Sequence, residues 1–322
     1  MPKVSVVVPV YGVEKYIERC VRSLFEQTLD DIEFIFVDDC TPDRSIEILE
    51  RLIVEYKPRI EEKNFVVQIE RMPVNSGQAI VRKRGIQLCT GDYIAHCDSD
   101  DWVERDIYQK LYEKAVVEHA DVVICDFVLT DGVSSKNIVA SCHSEIPIGF
   151  IENCLLRIDS WSLCNKLFRN TVYSNVTYPS GAMGEDMVLV IQLMHNCNKM
   201  SYIQEPLYNY VYNPNSITKK STKDVVIKKF EQLSSNSHIV IDFLEKEKLK
   251  TRMESAIVVY KNFVRSVLYP LVWDRKYYKI WNEMFPGLNR QVLLSRNISF
   301  LEKLRVILTI LHLYPRRQFM AK

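Results

Sequence analysis

Residues 4–10 (VSVVVPV) form a continuous run rich in β-branched side chains, the pattern of a strand buried on both faces. From residue 14 to 28 the period changes, with Ile17, Cys20, Val21, Leu24 and Phe25 recurring at helical spacing among polar residues. The two patterns then alternate. Strands are expected at 33–38, 65–70, 92–97 and 121–129, and helices at 43–56, 77–89 and 104–118. This alternation over the first 129 residues predicts an α/β fold, a Rossmann-like, doubly wound, mostly parallel sheet with helices on both faces. From residue 224 the pattern is helical, at 225–249, 253–269 and 298–314, with apolar and basic residues three and four apart.

Composition adds three constraints. The chain has 322 residues, 47% of them hydrophobic and 26% charged, which excludes a disordered or low-complexity protein. The net charge of +1 hides an asymmetry: residues 216–322 carry 21 Lys and Arg against 9 Asp and Glu, so the helical region is basic and the remainder acidic. Nine cysteines include no Cys-x-x-Cys pair, and several sit in apolar runs as small hydrophobes. Met1-Pro2-Lys3 runs directly into a strand pattern without a signal peptide, so a reducing, cytoplasmic setting is expected. No apolar stretch approaches the roughly 20 residues of a membrane span, which leaves a soluble chain or one lying on the inner face of a membrane.

In an open α/β sheet the ligand sits outside the carboxyl ends of the strands. After the first strand stand Pro9-Val10-Tyr11-Gly12, after the second Asp38-Asp39-Cys40-Thr41-Pro42-Asp43, and after the fourth Asp98-Ser99-Asp100-Asp101. Adjacent carboxylates repel one another unless a cation or a donor compensates. Asp98-Ser99-Asp100 therefore suits a hard divalent ion with oxygen ligands, Mg²⁺ or Mn²⁺. The competing reading is a solvated turn, with Asp101 as the cap of the helix that follows.

These segments resemble the nucleotide-sugar domain of family 2 glycosyltransferases with the GT-A fold. The resemblance rests on VSVVVPVYG (4–12), FVDDCTPD (36–43), Asn75-x-Gly77 through Arg82-x-x-Gly85, GDYIAHCDSDD (91–101) and, later, GEDMVLVIQL (184–193). It covers roughly residues 3–215, in the family's order. It implies that Pro9, Tyr11 and Asp39 contact the uracil and ribose, that Arg82 orients the donor-side loop or diphosphate, and that Asp98 and Ser99 lie against ribose and diphosphate. It further implies that Asp100 ligates the metal and that Asp186 is the general base. Two departures stand out: Gly12 and Lys83 occupy positions where the family usually has Asn.

On this reading residues 1–129 bind the nucleotide sugar, 130–215 form the acceptor side of the same catalytic domain, and 216–322 are a basic helical region. Residues 160–170 (SWSLCNKLFRN) present Trp161 either to an acceptor or to the core, in an amphipathic turn. Of Glu185 and Asp186, at the start of an apolar helix, Glu185 is expected as the capping, acceptor-side carboxylate. His96, His143, His195 and His238 receive no role. Residues 208–220 read either as a lid over a diphosphate or as a surface loop. The stripe of Leu301, Leu304, Ile307, Leu308 and Leu311 reads either as an interfacial helix or as one packed on the body or on a second subunit.

The expected activity is metal-dependent, inverting transfer of a hexose-type unit from a nucleoside diphosphate sugar, a UDP-sugar, to a saccharide or lipid-linked saccharide hydroxyl. The alternatives are a nucleotidyltransferase on a similar sheet, which would carry a Gly-rich basic loop after the first strand, and a non-catalytic sugar-nucleotide-binding protein. The absence of Gly-x-Gly-x-x-Gly after any strand disfavours a dehydrogenase. A nucleic-acid partner is not expected.

Overall fold

The computed structural model describes residues 1–132, 136–179, 181–211 and 222–314. In chain order the first part runs β1 (Val4–Val10), α1 (Ile17–Phe25), β2 (Ile32–Asp38), α2 (Ser45–Glu55), α3 (Lys57–Glu62), β3 (Val66–Arg71), α4 (Gln78–Leu88), β4 (Tyr93–His96), β5 (Trp102–Val103), α5 (Ile107–Glu118) and β6 (Val122–Thr130). Then follow β7 (Lys136–Val139), α6 (Pro147–Leu156), β8 (Lys166–Arg169), α7 (Glu185–Asn196) and β9 (Met200–Val211). The chain continues through α8 (Lys223–Lys246), α9 (Glu254–Ser266), α10 (Arg275–Glu283), α11 (Leu288–Leu294) and α12 (Phe300–Ile310).

The sheet order is β3-β2-β1-β4-β8-β6-β9-β5, with β7 paired to β6. The first four strands are parallel, as the alternation predicts. Beyond them the sheet is mixed, because β8 runs antiparallel to both β4 and β6 while β6 and β9 are parallel. Residues 160–170 are therefore not only a turn: Lys166–Arg169 is a short strand that joins the two halves of the sheet.

Strand periodicity divides the core into two layers. Val4, Val6, Val8 and Val10 face α1, α2 and α5, where Phe25 packs edge-on against Phe34 at 5.6 Å and Phe36 at 6.3 Å. Val7, Ile94, Val122 and Ile124 face the other way, into a cluster that continues through α6 and α7 to Trp281 of α10 and Val306 of α12. The C-terminal helices thus share a core with the α/β body. α3, wholly without buried residues, carries no apolar stripe to be read in advance, whereas α10 does carry one, Tyr277, Ile280, Trp281 and Met284 at helical spacing, that the expected helices did not include. All nine cysteines are free thiols, seven of them buried.

Gly85 explains part of the motif around α4. A Cβ there would lie 2.4 Å from Val7 Cγ1 and 3.3 Å from Val37 Cγ2, so the helix can rest on β1 and β2 only without a side chain. Gly85→Ala is expected to destabilise the fold by about 1–3 kcal/mol through overpacking, read as a lower urea midpoint at unchanged slope.

Candidate active site

The strand order reverses between β1 and β4, and the parallel register brings three loops together at one edge, with Val10 opposite Asp38 and Val7 opposite His96. The loops after β1 and β2 are laced to each other. Asp39 N donates to Val10 O at 3.0 Å, Gly12 N to Thr41 Oγ1 at 2.8 Å, and Glu14 N to Asp43 Oδ2 at 2.9 Å. Gly12 sits at φ 67°, a left-handed backbone that suits glycine better than the asparagine usual in the family. Above this frame Tyr11 is 51% exposed, its ring open to a flat ligand, while Pro9 is half-buried in β1.

Asp39 is buried and accepts from the backbone N–H groups of Ser76 at 2.6 Å and Gly77 at 2.9 Å, one on each carboxylate oxygen. Asn75 Nδ2 donates to the Asp39 carbonyl at 3.2 Å. The Asn75-x-Gly77 segment therefore fastens the start of α4 to the end of β2, and each Asp39 oxygen keeps room for one further donor.

Arg82 projects from α4 into the centre of the site and is only 1% exposed. Its Nη2 donates to Asp98 Oδ1 at 2.5 Å, and its Nη1 donates to Glu185 Oε1 at 2.9 Å and to Asp186 Oδ1. Asp98 comes from the end of β4, whereas Glu185 and Asp186 open α7. One guanidinium thus joins the donor-side loop to the Glu-Asp element. Burial opposes the Arg82 cation, but the charges of Asp98, Asp186 and Glu185 hold its pKa well above the ordinary value.

Glu185 and Asp186 differ in their surroundings. The Glu185 side chain is 4% exposed and that of Asp186 26%. Glu185 does not cap α7, contrary to expectation: the N-cap is Gly184 at φ 77°, no side chain caps the helix, and the Glu185 carboxyl turns to Arg82. Burial pushes its pKa up to about 8, opposed by Arg82 and reinforced by the charges of Asp186 and Asp98. Glu185 Oε2 has no donor among the described residues, consistent with a carboxyl that keeps its proton at neutral pH. The pKa of Asp186 is also raised, chiefly by burial, with Arg82 opposing and Asp98 adding.

The family model described as Glycosyl transferase family 2 matches residues 5–181. The chain belongs to this family. The "Uncharacterized glycosyltransferase EpsJ" of Bacillus subtilis (strain 168) is 31% identical over 68% of this chain and 63% of that protein's length. The "Poly(ribitol-phosphate) beta-glucosyltransferase" of Bacillus spizizenii is 28% identical over 65% of this chain and 32% of its own. Among solved structures, S. aureus TarS 1-349 in complex with UDP-GlcNAc superposes with a TM-score of 0.71 at 16% identity, covering 97% of this chain and 88% of that one. The fold is GT-A, with a helical C-terminal region. Family membership also decides against the nucleotidyltransferase alternative.

In this glycosyltransferase Ser99 is buried and Asp100 half-buried beside Asp98 at the end of β4. Asp101, read in advance as a cap, is instead a buried anchor: its Oδ2 accepts from Tyr208 Oη at 2.7 Å and its Oδ1 from Val211 N at 2.7 Å. Burial, with the charges of Asp100 and Asp98, holds its pKa well above the carboxylate range. Tyr208 Oη also accepts from Asp98 N at 3.1 Å, so β9 fixes the acidic loop from beneath. Tyr208 and Val211 lie 107 to 110 residues from their partners, and no local pattern marks them. Residues 212–220 of the lid reading lie outside the described residues.

Trp161 packs against Phe263 of α9 with ring centroids 5.9 Å apart. The loop that carries it is stitched by Lys166, fully buried, whose Nζ donates to Ser160 O at 2.9 Å, Ser162 O at 2.6 Å and Asn165 Oδ1 at 3.0 Å. His96 is buried, with Nε2 3.0 Å from Tyr173 Oη and its pKa pushed down to about 3 by burial and then by Arg82, so it stays neutral.

Two outcomes follow from the Arg82 cluster. Arg82→Met leaves three carboxylates without their counter-charge and should cost about 3–5 kcal/mol in chemical denaturation. The raised pKa of Glu185 has a sign: folding takes up a proton, so its stabilising effect is complete below the unfolded value of 4.5 and is lost as pH rises towards about 8. Unfolding free energy should therefore fall between those limits by up to roughly 1.4 kcal/mol per pH unit, and Glu185→Gln should flatten the slope.

Proposed function

We propose that this chain transfers a hexose-type unit from a UDP-sugar to a hydroxyl of a saccharide or lipid-linked saccharide, with inversion, in polysaccharide or glycoconjugate synthesis. The observation that carries the proposal is the Arg82 bridge. It holds Asp98, on the strand-end loop suited to a nucleotide, against Asp186, on the helix suited to an acceptor. The solved complex of TarS with UDP-GlcNAc supports a UDP-sugar donor, and the poly(ribitol-phosphate) glucosyltransferase supports a polymeric acceptor.

Tyr11 and Pro9 offer the apolar surface for the uracil, and Asp39 the acceptor for its edge or for the ribose. Asp98 and Ser99 border the ribose and diphosphate. Asp186 takes the acceptor's proton. Its raised pKa suits a base that works near neutral pH, and general-base help of this kind gives roughly 10²–10⁴-fold. Arg82 keeps the Asp186 carboxylate oriented through one oxygen. A single base and an in-line displacement give inversion, so an α-linked donor yields a β-linked product. Glu185, still protonated, lowers the repulsion that three ionised carboxylates would create, and Trp161 borders the acceptor side.

Asp98, Ser99 and Asp100 present only oxygen donors, and Asp98 Oδ2 accepts from nothing among the described residues. Among the described residues no group of three or more His, Cys, Asp or Glu is placed to hold a metal by itself. Such a set fits Mg²⁺ or Mn²⁺ shared with a diphosphate and water, with Asp100 as the protein ligand. The ion would supply charge neutralisation for the departing nucleoside diphosphate.

A panel of nucleotide sugars assayed for Mn²⁺-dependent hydrolysis and for thermal protection tests the donor class; no response from any UDP-sugar would reject it. Asp186→Asn, which preserves an acceptor for Arg82, should lower kcat by roughly 10²–10⁴-fold while UDP affinity stays within a few-fold. Its rate should also lose the fall at low pH that protonation of Asp186 imposes on the parent chain. Asp100→Asn should abolish the Mn²⁺ dependence of UDP binding, measured by calorimetry, with an unchanged melting transition.

A further inference from the structure

The helix α12 has two dissimilar faces. Val306 and Thr309 are buried towards the body, and the Ser299 hydroxyl fixes its start by accepting from Glu302 N at 3.3 Å. These two, rather than the leucine stripe, make the packing face. On the opposite side Phe300, Leu301, Leu304, Ile307 and Leu311 are 76, 66, 37, 38 and 58% exposed. At 100° per residue they fall within an arc of about 120°, with Lys303 at one margin and Arg305 at the other. Leu294, in the preceding helix α11, adds a further exposed apolar side chain at 71%. Scattered exposed leucines are ordinary, but a continuous apolar face bordered by cations marks a contact surface.

Charge decides between the occupants. Among the described residues from Met284 to Tyr314 there are four cations, Arg290, Arg296, Lys303 and Arg305, against a single acidic residue, Glu302, which pairs with Arg305. A second copy would bring this positive surface against itself, whereas anionic headgroups complement it. Lys and Arg at the margins of an apolar arc extend their stems along it and keep their charges at the phosphates. No helix among the described residues is long and apolar enough to cross a membrane, so α12 would lie in the interface rather than span it. We propose that the outer face of α12 docks the protein on an anionic phospholipid surface. This stands apart from the chemistry at Asp186 and goes beyond the proposed transfer. It would bring the enzyme to the surface where a lipid-linked acceptor resides.

The test is co-sedimentation of the full chain with phosphatidylcholine vesicles, with and without phosphatidylglycerol, at low and at high salt. Binding is expected only to the anionic vesicles and should weaken sharply as salt rises. The pair Lys303→Gln and Arg305→Gln should weaken it roughly thirtyfold, at about 1 kcal/mol per charge. Leu301→Ser with Leu304→Ser should abolish it. These side chains lie on the outer surface, so the melting temperature and UDP affinity should not change, which separates failure of docking from failure of the catalytic reading. Absence of binding at low salt, equal binding to neutral vesicles, or parent-like binding by the leucine pair would overturn the proposal. If light scattering shows a dimer that the leucine pair dissolves, the face belongs to a second copy and the proposal is likewise overturned.

Discussion

One guanidinium, that of Arg82, balances carboxylates drawn from two segments more than eighty residues apart in the chain. In water the arrangement would be worth little; at 1% exposure each charge matters, because an unpaired ion there would meet the full cost of desolvation. The cluster can persist only if β4, α4 and α7 are held in register around it. This couples the site to the fold. The helix α4 must lie directly on β1 and β2, which Gly85 permits, so that Arg82 reaches across to α7.

The cluster also divides labour between two adjacent carboxyls. Glu185 and Asp186 share a helix N-terminus and a guanidinium, yet one is shut away and the other is partly open. Burial that raises the Glu185 pKa towards neutrality reduces the negative charge which would otherwise accumulate beside Asp98. The more open neighbour keeps access to solvent. A similar economy holds beneath the acidic loop. Asp101, although next to Asp100, is committed to Tyr208 and Val211, so it anchors the acidic loop from within.

The C-terminal helices extend the same apolar layer that covers one face of the sheet, from Phe168 of β8 through α7 to Trp281 and Val306. They are thus part of the enzyme's core on one side. On the other, α12 presents apolar and basic groups that the body leaves uncovered. The family model matches residues 5–181, and this layer lies outside that match.

Much was legible in the sequence by itself. Continuous β-branched runs and period-3.6 runs are local, and they located β1, α1, β2, α2, β3, α4, β4, α5 and β6 to within a few residues. The carboxylates at the strand ends were visible for the same reason: sheet topology dictates where such loops gather. Tertiary structure decided what those residues touch. Arg82 could be read as a donor-loop residue, but its three acidic partners lie 16, 103 and 104 positions away. Glu185 had the sequence of a cap and became a buried partner of Arg82, since the αL backbone of Gly184 took the cap position. The antiparallel insertion of β8 and the anchoring of Asp101 by β9 left no local mark either, as strand direction and single long-range hydrogen bonds have no period to detect. Periodicity reports which face of an element is buried; the pairing of particular charges depends on how those faces are brought together, and only the packed chain determines that.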